Sequence, residues 1–180
     1  ATVGAVESQL FIKTGKLIQL SEQEIIDCAD DFNALQCSGG IGFRVFDYIK
    51  HIGGLSSSSD YPYEEKANER CKAVDNKVKI NMKGYGLVDS EDDDEMLKKA
   101  IFKNGPIMVS IDIDHESFMR YSEGIYYDDN CGEEVNHGAI VVGYGSESGE
   151  GYWIIKNSFG DKWGEDGYVR ISKTRGNACS

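Results

Sequence analysis

The chain has 180 residues, with 31 acidic and 19 basic side chains, a formal net charge of −12, and 40% hydrophobic and 11% aromatic residues. That length suits one domain or two small ones sharing a core, and the acidic excess argues against a nucleic-acid partner, which needs a basic face. No apolar run approaches the roughly 20 residues that cross a bilayer, so no membrane-spanning segment is expected, and neither a signal peptide nor an initiator Met is visible.

Val3, Val6 and Leu10 recur at helical spacing and predict a helix over 1–11, with Gly15 closing it. No capping residue precedes its first apolar positions, because nothing precedes Ala1, so a core helix that has been cut is expected here. Ser21 and Glu24, three apart, predict a capping box on a short helix. Cys37-Ser38-Gly39-Gly40 reads as a turn, and 43–52 as a helix with Phe43, Phe46 and Ile49 on one face and Gly53-Gly54 as its stop. Residues 56–62 read as a loop.

After Cys71 the period changes, and Val78, Ile80 and Met82 alternate as in a strand. The acidic run 90–95 suits a helix N-terminus, with Ser90 as cap and carboxylates facing the positive dipole end. A calcium loop is the alternative, but the run lacks alternating oxygen ligands and a central glycine. Met96, Leu97, Ala100 and Ile101 predict the buried stripe, and Gly105-Pro106 the stop. Strands are predicted at 107–113, 125–127, 139–144, 152–156 and 168–172. The fold class is therefore α+β: a mostly helical half over 1–87 and an antiparallel β half over 88–180.

Five cysteines, Cys28, Cys37, Cys71, Cys131 and Cys179, leave one thiol without a partner within the chain. Zinc is the competing reading, but there is no Cys-x-x-Cys pair and no two histidines stand at ligand spacing. No metal and no cofactor is expected.

The chemistry concentrates in 135–167, VNHGAIVVGYG followed by GYWIIKNSFGDKWGEDG. His137 opens one predicted strand and Asn157 closes its neighbour. An amide oxygen that accepts from one ring nitrogen leaves the other facing outward with a defined tautomer, the orienting half of a nucleophile–base–orienter site. The plainer alternatives are a strand histidine that only satisfies hydrogen bonds and an asparagine that only makes a turn.

VNHGAIVVGYG together with YWIIKNSFGDKWGEDGYVRI resembles the papain-like cysteine peptidases, in their cathepsin L-like branch, and the resemblance runs through essentially all 180 residues. It implies a papain-like fold of two domains, the β half barrel-like, with the active cleft between them. It implies a catalytic His137, which pairs with a cysteine thiolate and later protonates the leaving amine, oriented by Asn157. The nucleophilic Cys and the oxyanion Gln of the family then belong before Ala1, and the family's last strand after Ser180. The 180 residues are accordingly expected to be a fragment that does not hydrolyse peptides by itself.

The resemblance further implies disulfides Cys28–Cys71 and Cys131–Cys179, with Cys37 paired to an upstream cysteine. Gly39 and Gly40 would form a backbone rung for an extended peptide. Ile41, Gly42, Ser110, Val135, Asn136 and Gly138 would line a specificity pocket that prefers Leu, Val or Phe to Arg, although each has a plain reading as turn or core packing. Phe159 stands where the family has a tryptophan that covers the histidine–asparagine bond, so a weaker shield is expected there, with Trp163 as packing. Implied partners are an extended peptide or protein substrate, a propeptide and a cystatin-like inhibitor, for a monomer that is secreted or sits in a lysosomal or digestive lumen. The alternative is a non-catalytic relative that binds peptides or serves for storage. Phe159 hints at it, and retention of His137 and Asn157 speaks against it.

Overall fold

The computed structural model describes residues 1–72, 75, 77–88, 94–132 and 134–173. Two compact units emerge, Thr2–Leu87 and Val88–Ser180, the latter grouped with Ala1.

In the first unit, α1 (Thr2–Thr14), α2 (Glu22–Cys28) and α3 (Gly42–Ile52) surround a core of Val3, Val6, Leu20, Ile25, Val45, Ile49 and Leu55. Gly15, at φ 70°, ends α1, a backbone conformation that a residue with a Cβ rarely adopts. α3 buries Val45, Tyr48 and Ile49. Of the stripe expected from the sequence Ile49 is fully buried, Phe46 is half-buried against the same core, and the rings of Phe43 and Phe46 meet Tyr85 at 6.3 and 5.4 Å. The predicted strand around Val78 is short: β2 (Val78–Lys79) pairs antiparallel with β1 (Gly54–Leu55). Gly54 permits this close pairing, since a Cβ there would come within 2.2 Å of the Val78 carbonyl oxygen.

The capping box at α2 is only half formed. The Ser21 hydroxyl accepts from the Glu24 backbone N–H at 2.9 Å. The Glu24 carboxylate does not return to Ser21. It is fully buried and accepts from Ser56 N–H (2.7 Å), Lys77 Nζ (2.8 Å) and Tyr48 OH (3.3 Å). A buried carboxylate is tolerable only with such donors and a counter-charge, and here they tie α2 to the start of the 56–61 loop and to the approach to β2. Burial, then Glu24, pushes the Tyr48 phenol up. One turn on, Asp27 accepts from Gln23, Tyr61 and Asn68, which fixes the 61–68 loop. The Cys28–Cys71 disulfide closes the same region over a separation of 43 residues, a loop whose closure contributes about 4 kcal/mol in the chain-entropy picture.

The second unit is a five-stranded sheet in the order β3 (Ile107–Ile111), β5 (His137–Glu147), β6 (Glu150–Lys156), β7 (Tyr168–Ser172), β4 (Ile125–Tyr126). Alternation along β6 and β7 buries Trp153, Ile155, Val169 and Ile171 against Ile111, Phe118, Val141 and Ile101. Ile101 comes from α4 (Asp94–Asn104), whose expected stripe loses Met96, 47% exposed. The proposed Ser90 cap lies outside the described residues.

Two features depart from the sequence reading. The pairs β3–β5, β5–β6 and β6–β7 are antiparallel, but β4–β7 is parallel, and among the described residues the sheet is open rather than barrel-like. A short helix the sequence did not announce, α5 (Glu116–Met119), lies between β3 and β4 in the chain. Four residues are too few for a helical period to be read. The strand β3 also stops at Ile111 rather than running on to Ile113, because the Ile113 N–H is taken by the Asn136 side chain.

Candidate active site

β5 begins at His137 and β6 ends at Lys156, so the antiparallel pairing of these strands delivers His137 and Asn157 to the same end of the sheet. His137 Nε2 donates to Asn157 Oδ1 over 2.8 Å. The Ser158 backbone N–H donates to the same oxygen, also at 2.8 Å. An atom that receives a backbone N–H must be the amide oxygen, so the imidazole carries its proton on Nε2 and leaves Nδ1 as the base when neutral. The Asn157 N–H donates to Gly167 O at 3.0 Å, which anchors the asparagine to the far end of its own loop. Asn157 is 9% exposed, and its Nδ2 has no hydrogen-bond partner among the described residues.

An aromatic relay covers the pair. The Phe159 ring lies 5.5 Å from the imidazole, tilted by 50°, and meets Trp163 edge-on at 5.3 Å. Trp163 packs on Phe118 and Tyr121 and donates its indole N–H to Met119 O at 3.2 Å. Trp163 is thus held by the core of the unit, and Phe159, 38% exposed, is the outer layer over His137.

The other residues expected at the site fall into two groups of four. In the first unit, Gly39, Gly40 and Ile41 are exposed and Gly42 opens α3. The turn is shaped by Gly39 at φ 102°, by the Leu35 N–H to Gly39 O bond of 2.8 Å, and by a bridge between Ala34 and Gly40. Cys37 is a free, exposed thiol in this same turn. In the second unit, Ser110 sits in register with Gly138, and Ile111 with His137. Val135, 48% exposed, and Asn136 lead directly into His137.

One cluster escaped the sequence reading. Asp112, 6% exposed, accepts from His115 Nε2 (2.8 Å), Gly132 N–H (3.1 Å), Asp114 N–H (3.1 Å) and Asn136 Nδ2 (2.7 Å). The His115 bond and the backbone donors hold its carboxyl far below the usual carboxylate range, and the same bond raises His115. The only hint in the sequence was an Asp-x-x-His spacing. Asp112, His115 and Cys131 have ligand atoms within 4.8 Å of one another. Cys131 is disulfide-bonded, however, and so offers no thiolate to a metal. Its expected partner, Cys179, lies outside the described residues.

A cavity of about 320 Å³ lined by Lys98, Tyr144, Ser146 and Lys173 lies elsewhere. Tyr144 is further along β5 from His137 by about 20 Å at the rise of a strand, and its two lysines already face Glu95 and Asp94.

A model of the papain family cysteine proteases matches residues 1–180. The chain is 43% identical to a cathepsin L-like peptidase of Aedes aegypti, aligning 99% of itself with 53% of that protein. It is 45% identical to procathepsin L of Rattus norvegicus, over 98% of itself and 53% of the relative. It thus spans about half the length of these relatives. The structure of digestive procathepsin L 3 from the larval midgut of Tenebrio molitor superposes with a TM-score of 0.91 at 40% identity, covering 99% of this chain and 58% of that one. The fold is papain-like, and the chain belongs to the papain family of cysteine proteases.

Proposed function

We propose that the protein is a cysteine-type endopeptidase in which His137 is the general acid and base and Asn157 its orienting partner. The observation that carries this reading is the 2.8 Å bond from His137 Nε2 to Asn157 Oδ1, which directs Nδ1 outward. A thiol is a weak nucleophile until ionised, and an adjacent imidazole that takes its proton supplies both the thiolate and, later, the acid for the leaving amine. The thiolate attacks the peptide carbonyl, the imidazolium protonates the departing nitrogen, and water then releases the acyl group with the histidine again as base.

The nucleophile is not drawn from the cysteines described here. Cys28 and Cys71 are bonded to each other, Cys131 is disulfide-bonded, and Cys37 sits in the Gly39-Gly40 turn proposed to hold substrate. In this reading the attacking thiol is none of these four. Substrate would lie extended along Gly39 and Gly40. Beside that rung Ile41, 45% exposed, offers apolar surface to a Leu, Val or Phe side chain. The names of the relatives, procathepsin and digestive procathepsin, support a zymogen held by a propeptide and a lysosomal or digestive lumenal site.

A second reading, a peptide-binding or storage protein without catalysis, draws on Phe159, which leaves the imidazole less covered than an indole does. Labelling of the full-length protein by a thiol-reactive peptide epoxide at acidic pH separates the two. Stoichiometric labelling that abolishes peptide hydrolysis supports the peptidase. A folded protein that binds peptide yet neither labels nor hydrolyses overturns it.

A further inference from the structure

His137 is the first residue of its strand, so its backbone is held by the sheet on one side only, through register with Ile111. Asn136, the residue before it, reinforces that same side. Its N–H donates to Ile111 O (3.0 Å), its Oδ1 accepts the Ile113 N–H (3.0 Å), and its Nδ2 donates to Asp112 Oδ1 (2.7 Å). The residue is exposed, so water competes for each of these bonds. The Asp112 carboxylate decides that competition, because it is itself fixed by three further donors, from His115, Asp114 and Gly132. Those donors come from the turn that follows β3 and from the loop that precedes β5, so one carboxylate ties the two segments together just before His137 in the chain.

We infer that Asp112 is a positioning residue for His137: it acts through Asn136 to fix where the imidazole stands. As a statement about catalysis this rests on the peptidase reading. As a statement about the imidazole it does not. A carboxylate suits the task because its two oxygens accept from four donors at once, which neither an amide nor a hydroxyl can do. His115 does not touch His137. It completes the coordination of Asp112 Oδ2. The effect on rate is large for a side chain that never meets substrate, since a displacement of about 1 Å costs up to roughly 100-fold in a reaction that depends on near-attack geometry.

The test compares full-length protein with its Asp112→Ala, Asp112→Asn and Asn136→Ala variants. Three quantities are read: the thermal midpoint, kcat and KM on a peptide substrate, and solvent exchange of the His137 Nε2 proton by nitrogen-15 NMR. Asn136→Ala leaves Asp112 with three of its donors and so serves if Asp112→Ala fails to fold. The expected result is a kcat lower by about 10- to 100-fold and faster Nε2–H exchange in Asp112→Ala and in Asn136→Ala, with KM little changed in Asp112→Ala. Asp112→Asn, which keeps one acceptor oxygen, should recover part of both. A folded Asn136→Ala with parental kcat and parental exchange overturns the proposal, as does an Asp112→Ala variant that loses only thermal stability. Should the parent protein prove not to be a peptidase, the functional reading falls, and the exchange of the Nε2 proton alone decides the positioning claim in the same two ways.

Discussion

Asn157 Oδ1 receives two N–H groups at 2.8 Å, one from the His137 imidazole and one from the Ser158 backbone. The second bond gives the first its meaning. It fixes the amide orientation from the main chain, so the ring must present Nε2–H to Asn157 and Nδ1 to the other side. Asn157→Ala removes the acceptor and frees the ring to rotate. We expect kcat/KM of the full-length protein to fall by about 10- to 100-fold, measured on a fluorogenic peptide, with the fold retained by circular dichroism.

The cover over that bond is thinner than the alternative side chain would make it. Phe159 contacts His137 and rests on Trp163. An aromatic pair contributes about 0.5–1.5 kcal/mol beyond its buried area. Phe159→Ala should therefore lower kcat/KM by up to about tenfold, and Phe159→Trp should leave it equal or higher. A Phe159→Ala enzyme as active as the parent would show that the ring is only a neighbour.

The Asp112–His115 pair sets a pH window for stability. Asp112 is lowered in the fold, chiefly by the His115 bond, so its contribution is present above the unfolded value near 4 and is lost as pH falls through the lower folded value. His115 is raised, chiefly by Asp112 with Asp114 and Asp128 adding to it, so its contribution is complete below the unfolded value near 6.5 and is lost as pH rises through the higher folded value. Both charges are present between about pH 4 and 6.5, and thermal midpoints should be highest there. His115→Gln should flatten the decline on the alkaline side, and an unchanged pH profile in that variant would contradict the assignment.

The buried Glu24–Lys77 pair makes a separate demand on the first unit. Glu24 is fully buried and draws on three donors. Glu24→Ala leaves the Ser56 N–H and the Lys77 ammonium without their acceptor. Loss of one partner of a buried pair costs about 3–5 kcal/mol, so denaturant unfolding should show a loss of that order. A loss under about 1 kcal/mol would place the pair among weak surface ion pairs.

What could be read from the sequence was whatever is local or carried by a long motif. The ends of β7 and the stop of α3 at Gly53 follow from short-range patterns. His137 and Asn157 stood out because two glycine-flanked apolar runs bracket them, and the structure brings them into hydrogen-bonding distance. What could not be read depends on register between distant segments. Glu24 matches a capping box, yet its carboxylate is claimed by Ser56 and Lys77, far away in the chain. The Asp112 cluster joins residues up to 24 apart, and no periodicity marks it. The parallel β4–β7 pair follows a helix of four residues, too short to announce itself.

The central claim is that His137 controls the ionisation of a nucleophilic thiol. Its most direct test is the rate of iodoacetamide alkylation against pH, for full-length protein and its His137→Ala variant. Modified sites are mapped by mass spectrometry so that Cys37 is read separately. The expected result is a thiol in the parent that reacts well below pH 7, and one in His137→Ala that reacts only as pH approaches the ordinary thiol value of about 8.5. Identical profiles in the two proteins, or no thiol other than Cys37 that reacts at acidic pH, would contradict the account.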